Sequence, residues 1–306
     1  MGEGGQRDAA ARRRTGIVYS LGAYTCWGLM PLYLRLVNSV PPLEFLMHRM
    51  IWSLVVVVVI LAVRRQWTWL GEVLRAPRVL GAFAFSAAVL SVNWFLFVWA
   101  VHARRIVDAS LGYFINPLIT VALGALFLNE RLRRAQAVAV ALAAGGVLWL
   151  IVQVGQVPWL GLGLAFSFGL YGLLRKTAAL GALEGLALET LLLSPVALVT
   201  LGWLAAHGEN RFLTAPALTR VGVLMAGPMT TVPLLLFAAG ARRIPLSLVG
   251  LLQYLGPTLQ LLLGVLVMHE PFDAGKLAGY AFIWAGFLLA SMDGLRQGAA
   301  AAPNRR

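Results

Sequence analysis

Along the chain, apolar runs of about twenty residues alternate with short charged clumps such as "ARRRT", "VRRQW", "NERLRR" and "LLRK". A run of that length spans the hydrocarbon core of a bilayer as a helix, at about 1.5 Å per residue. The runs are continuously apolar. Membrane-barrel strands would instead alternate every second residue over about ten residues. The pattern predicts ten spans, at 16–37, 43–63, 79–101, 104–128, 133–154, 158–178, 185–206, 218–240, 244–268 and 273–294. The expected fold class is therefore an all-α integral membrane protein of ten transmembrane helices. Residues 1–15 and 295–306 are charged or Ala-rich and are expected to form disordered cytoplasmic tails.

The pattern also repeats. "LGYFINPLITVALGALFLNERLRR" (111–134) and "LLQYLGPTLQLLLGVLVMHEPFDA" (251–274) lie 140 residues apart and align Pro117 with Pro257, Gly124 with Gly264 and Glu130 with Glu270. "ARRI" occurs at 103–106 and again at 241–244, and Trp27-Gly28 matches Tyr171-Gly172. Two five-helix units follow, at 16–154 and 158–294. Five is odd, so the second unit must enter the membrane upside down. Inverted repeats of this kind are found in secondary transporters, with the substrate site near the midplane between the halves.

Composition agrees: 60% of the 306 residues are apolar and 12% charged, with mean hydropathy +0.80. The formal net charge of +13 raises nucleic acid as a partner, but the placement of the charges argues against it. With the N-terminus inside, eighteen of the 25 basic residues fall in cytoplasmic segments and five in outer loops. That bias is a positive-inside signal and places both termini in the cytoplasm. The first apolar run is too long for a signal-peptide core and lacks a small-residue cleavage site, so it reads as an uncleaved helix. The single cysteine, Cys26, lies inside it and has no intramolecular disulfide partner.

With the repeat in hand, the segments "AYTCWGLMPLYLRLV", "PPLEFLMHRMIWS", "NWFLFVWAV", "ASLGYFINPL", "GLAFSFGLYGLLRK", "TTVPLLLFAAGARR", "LQYLGPTLQLLL" and "AFIWAGFLLASMD" resemble the RarD-type permeases. These belong to the EamA branch of the drug/metabolite transporter superfamily. The resemblance covers about residues 15–295. It implies two EamA repeats, a plasma (inner) membrane location, and transport of small organic solutes or metabolites, drugs included. It does not name the cargo.

Ionisable groups inside a membrane are costly and are functional candidates by default. The second span begins "PPLEFLMHRMIW", where Glu44 and His48 share a helix face with Arg49 beside them. With Asp108 they are gate or proton-response candidates, and protons are the candidate coupling ion. The alternative is an interfacial cluster anchoring a helix end. In the fourth span, which also offers Asn116, Tyr113, Pro117 and Thr120 are matched in the ninth by Gln253, Pro257 and Gln260, with Tyr254 beside Gln253. Pro117 and Pro257 are expected to break their helices and to mark where the two cross. Tyr113, Gln253 and Tyr254 are expected to line one central cavity, with Asn116, Asn93, Tyr171 and Thr231 further along the substrate path. The alternative is that these faces only pack helix on helix. Glu189 is expected to pair with Arg175 or Lys176.

No HExxH, GxSxG, Walker A or prenyl-diphosphate carboxylate motif is present. The four histidines lack metal-ligand spacing, so neither a metal nor a cofactor is expected. The lipid bilayer and a small-molecule substrate are the expected partners, and the oligomeric state is left open. An intramembrane enzyme or lipid-handling protein with an unfamiliar site is the competing class.

Overall fold

The computed structural model describes residues 3–102, 106–155, 157–267 and 277–300, and the regular elements among them are all helical. Helix α1 spans Glu3–Leu34 and ends in a short 3-10 turn, Arg35–Val37. Then come α2 (Pro42–Arg64), α3 (Thr68–Leu74), α4 (Pro77–His102), α5 (Ile106–Phe127), α6 (Arg134–Val154) and α7 (Trp159–Thr177). The rest are α8 (Ala182–Ala206), α9 (Arg211–Thr214), α10 (Ala217–Leu224), α11 (Ala226–Ala241), α12 (Leu246–Leu252), α13 (Leu255–Leu266) and α14 (Leu277–Ala300). Six helical stretches among the described residues are long and apolar enough to cross a bilayer: Pro42–Arg64, Pro77–Phe97, Arg134–Gln153, Ala182–Ala206, Ala217–Ala241 and Leu246–Leu263. Gly112–Phe127 and Leu277–Leu289 are shorter apolar helices. Large apolar side chains such as Leu126, Val152 and Val199 stand exposed on the bundle's outside, where lipid rather than water suits them.

Three expectations need correction. Among the described residues the terminal segments are helical: α1 already runs from Glu3 and α14 reaches Ala300. Both are rich in Ala and Arg, strong helix formers attached to existing helices, so extension needs no new nucleus. Pro117 does not break its helix, since α5 is continuous through it. The eighth and ninth stretches, by contrast, are each divided, at Met225 and at Gln253–Tyr254. Each division lies just upstream of a proline, Pro228 and Pro257. A proline offers no N–H to the carbonyl four residues back, and the Gln253 carbonyl accepts instead from the Gly256 amide at 3.2 Å. Pro31 similarly deprives the Trp27 carbonyl of its intrahelical donor, and Gln260 Nε2 donates to that oxygen at 3.0 Å.

The third correction concerns where α5 meets the ninth stretch. Contact falls at Pro117 against Gly250 and at Gly124 against Leu246 and Ser247, so α5 and α12 run in opposite directions and Pro257 lies beyond the crossing. Helices α6 and α14 are also antiparallel, with Gly146 against Gly279 and Ala139 against Gly286. Helices α5 and α7 run in the same direction, as Gly112 meets Gly161 and Gly169 meets Ile119. So do α1 and α13, where Tyr24 lies by Gly256 and Gly28 by Leu259. The main core fills the space between α1, α2, α4, α7, α8, α11 and α12.

A Cβ at Gly250 would sit 2.7 Å from the Pro117 carbonyl oxygen, a backbone atom that cannot turn aside, whereas one at Gly256 meets nothing nearer than 3.6 Å. Gly250→Ala is therefore expected to destabilise the protein by about 1–3 kcal/mol, the usual scale of overpacking. Gly256→Ala is expected to be neutral or slightly stabilising. Thermal unfolding of the two purified variants checks the contrast.

Candidate functional site

Carboxylates inside the bundle need donors, and three of them find donors in three ways. Glu189, fully buried on α8, accepts from Ser86 Oγ at 2.6 Å and from the Tyr171 hydroxyl at 3.2 Å, and lies 3.7 Å from Arg175 Nη1. Arg175 in turn donates to the carbonyls of Gly181 and Ala182 and covers the Phe83 ring. The pairing expected for Glu189 is thus made with Arg175. Glu130, just past α5, holds the start of α12: the amides of Leu246 and Ser247 donate to it at 2.7 and 2.8 Å, and Ser247 Oγ at 2.8 Å. An anion at a helix N-terminus meets unpaired N–H groups and the positive end of the dipole. Lys176 stands 3.7 Å from the same carboxylate and donates to the carbonyls of Ala241 and Ile244, tying α7 to the α11–α12 junction. Glu44 accepts from the amides of Arg211 and Phe212 at 3.0 and 2.8 Å, the first turn of α9.

Arg49 is placed differently. Its Nε donates to Thr230 Oγ1 at 2.7 Å and its guanidinium lies 4.6 Å from the centre of the Trp94 ring. Tyr33 and Tyr113 are close enough to interact with its charge. Among the described residues no carboxylate lies within 4.0 Å of it. Tyr113 lies deep in the bundle yet keeps 38% of its surface accessible, the mark of a side chain lining an internal recess. Phe97 packs edge-on to Tyr113 with ring centres 6.4 Å apart. Five helices, α1, α2, α4, α5 and α11, converge on this recess.

Further along α5 the bundle is closed. Because α5 and α7 run in parallel register, Phe168 and Tyr171 lie about two turns beyond Tyr113, toward Glu130. With Tyr24, Trp27 and Phe237 they form a continuous aromatic layer, in which Trp27 meets Phe168 edge-on at 5.6 Å and Tyr171 stacks on Phe237 at 6.2 Å.

The structure redistributes the residues singled out from the sequence. Glu44 and His48 do share a face, 3.8 Å apart, but that face is turned to α9, where His48 lies on Phe212 with ring centres 4.5 Å apart. Arg49 points away from them, toward α4 and α11. Of the three residues expected to line one cavity, Tyr113 is accessible whereas Gln253 and Tyr254 are packed. Tyr254 is fully buried, and Gln253 is buried with its Oε1 accepting from Thr120 Oγ1 at 3.4 Å. Gly250 lets α12 approach α5 at backbone distance at that level. Asn116 is likewise buried, 3.3 Å from Thr120 Oγ1. Asn93 donates to the Leu164 carbonyl and to Ser167, a contact between α4 and α7. Tyr171 belongs to the aromatic layer, and Thr231 is buried beside the more consequential Thr230. The side chains of Asp108 and Glu270 lie outside the described residues. Thr230, Trp94 as a cation partner, and Ser86 were not singled out as ligands of charge. One signal was available: the offset that relates Pro117 to Pro257 also relates Glu44 to Glu184 and Arg49 to Glu189, two opposite charges at equivalent positions.

Comparison with known proteins adds a consistent assignment. The profile of the EamA-like transporter family matches residues 14–152 and again 157–292. The chain is 46% identical over 288 residues to "Protein RarD" of Streptomyces exfoliatus, covering 94% of this chain and 91% of that one. It is 44% identical over 287 residues to "Uncharacterized transporter YojE" of Bacillus subtilis, covering 91% and 94%. A solved structure shares the fold with a TM-score of 0.68 at 19% identity, over 91% of this chain and 98% of that one.

Removing one partner of a buried ion pair strands the other, at a typical cost of about 3–5 kcal/mol, while replacing both by apolar residues is often close to neutral. Glu189→Leu is therefore expected to lower the unfolding midpoint sharply. The double variant Arg175→Met, Glu189→Leu is expected to recover much of the loss. A thermal-unfolding double-mutant cycle measures both.

Proposed function

Because the chain belongs to the EamA-like transporter family as a RarD-type permease, it is a multi-pass membrane transporter, and we propose that it is a secondary carrier of small organic solutes working by alternating access. In this reading ten spans cross the plasma membrane with both termini in the cytoplasm. The divided eighth and ninth stretches each count as one span, and the halves 16–154 and 158–294 are related by inversion.

The packing supports that symmetry. Exchanging each span for its counterpart five places on turns the α5–α7 contact into α13–α1, and both are parallel. The same exchange turns α1–α11 into α7–α4, and maps α2–α8, α5–α12 and α6–α14 onto themselves. The last two are antiparallel, as self-paired spans of an inverted repeat must be.

The observation that carries the proposal is the contrast along α5. A recess at Tyr113 is followed by the aromatic layer, and then by the Glu130 staple on α12, about 25 Å from Tyr113 along the helix direction. Glu130 sits in the basic loop that the charge bias assigns to the cytoplasm. The recess therefore faces outward and the inner side is shut. Inverted halves allow the opposite arrangement by exchanging roles. The family and the relatives' names point to transport rather than to an enzyme.

Counterflow in proteoliposomes tests the reading, using a solute first identified by thermal stabilisation. A carrier takes up labelled solute faster, and transiently above equilibrium, when unlabelled solute is loaded inside. A flux without that trans-stimulation means a channel, and a chemically altered solute means an enzyme.

A further inference from the structure

Arg49 is a cation inside the bundle with neither a carboxylate nor a backbone carbonyl as partner among the described residues. Glu189 and Arg175 have each other, Glu130 has two backbone amides and Lys176, and Glu44 has the amides of α9. Arg49 has one hydroxyl and one aromatic face. Neither supplies negative charge. An arginine has five N–H donors, and with Nε engaged by Thr230 and a face held on Trp94, the terminal Nη1–Nη2 edge bonds no described residue. That edge belongs to a half-buried residue in the recess at Tyr113.

A guanidinium held among membrane helices is only partly hydrated, so an anion that reaches it through the recess is attracted more strongly than in bulk water. Its immobilisation points the same way. Thr230 and Trp94 fix the plane of the group, so that an arriving planar oxyanion finds two parallel N–H donors already oriented. Tyr113 is accessible and its hydroxyl bonds no described residue, so it supplies a third donor. The walls are aromatic, with Phe97 against Tyr113 and Trp94 beneath the guanidinium. Such walls suit an apolar body attached to the charged head.

We propose that the solute carried is an organic anion, a carboxylate with an apolar or aromatic body, whose carboxylate pairs with Arg49, a cation with no carboxylate partner among the described residues. This rests on the carrier reading above and names its substrate class. Arg49 binds the carboxylate through the Nη1–Nη2 edge, Tyr113 donates to it, and Thr230 and Trp94 position Arg49 without touching the solute's charge. A neutral analogue of the same shape lacks the ion pair with the guanidinium and binds much less well.

The test uses the full chain in lipid nanodiscs and matched probes: acetate, octanoate, benzoate, 3-phenylpropanoate and 4-phenylbutanoate, each beside its primary amide. At least one of the larger carboxylates is expected to raise the unfolding midpoint, with its amide inert at the same concentration. Arg49→Gln is expected to weaken that binding about tenfold or more, the scale of a lost charge-assisted pair. Tyr113→Phe, which leaves the helix packing intact, is expected to weaken it by a smaller factor. The matched pairs need no variant, so the comparison holds even where Arg49→Gln does not fold. Amides as effective as acids, no binding by any acid, or unchanged binding by a monodisperse Arg49→Gln each overturn the proposal. Counterflow of neutral solutes by wild type and Arg49→Gln alike overturns the anion site and leaves the carrier standing. Carboxylate binding with no counterflow of that carboxylate leaves the site standing and overturns the carrier.

Discussion

Within a bundle wrapped in hydrocarbon, a charge must bring its own solvation, and that requirement organises much of this protein. Glu130 is solvated by the N-terminus of α12, which fixes that short helix against the end of α5. Glu189 is solvated by Ser86, Tyr171 and Arg175, which joins α8 to α4 and α7. Glu44 is solvated by the first turn of α9, which seats that turn on α2. Each pairing ties together segments distant in sequence. Each would be expensive to leave half made, because the low dielectric that strengthens the pair also raises the cost of an orphan.

The same requirement separates structure from function. Charges whose partners are supplied by the protein hold helices together and close the bundle around the aromatic layer. Arg49, which has no carboxylate partner among the described residues, stands at the recess. Proline contributes in a related way. Pro228 and Pro257 each leave a carbonyl without its usual donor, and the stretches they interrupt are α10–α11 and α12–α13. These pieces carry Thr230 toward Arg49 and present the α12 N-terminus to Glu130.

Glycine sets the complementary limit on open space. Gly250 and Gly279 bring α12 onto α5 and α14 onto α6 at backbone distance, so those crossings are solid. The recess lies among large aromatic side chains, Trp94, Phe97 and Tyr113. That division explains why Gln253 and Tyr254 are packed while Tyr113, aligned with Gln253 in the repeat, is accessible.

Much of the architecture was written along the chain, because length, hydropathy and charge placement act locally. Twenty apolar residues make a helix whatever its neighbours, and Pro117, Gly124 and Glu130 recurring 140 residues later reveal a repeated unit without any contact being known. The i, i+4 spacing likewise placed Glu44 and His48 on one face. What periodicity cannot supply is the identity of the facing helix. Arg49 is adjacent to His48 in sequence, but a rotation of about 100° per residue turns it from α9 toward α4 and α11, where Trp94 and Thr230 wait. Gln253 looked expensive in lipid, but only the close approach of α5 showed that Thr120 receives it. The sequence by itself determined the membrane setting, the repeat and the list of costly polar groups. The tertiary structure alone decided which of those groups are paid off by neighbours and which face open space, because burial and pairing depend on side chains brought together across the bundle.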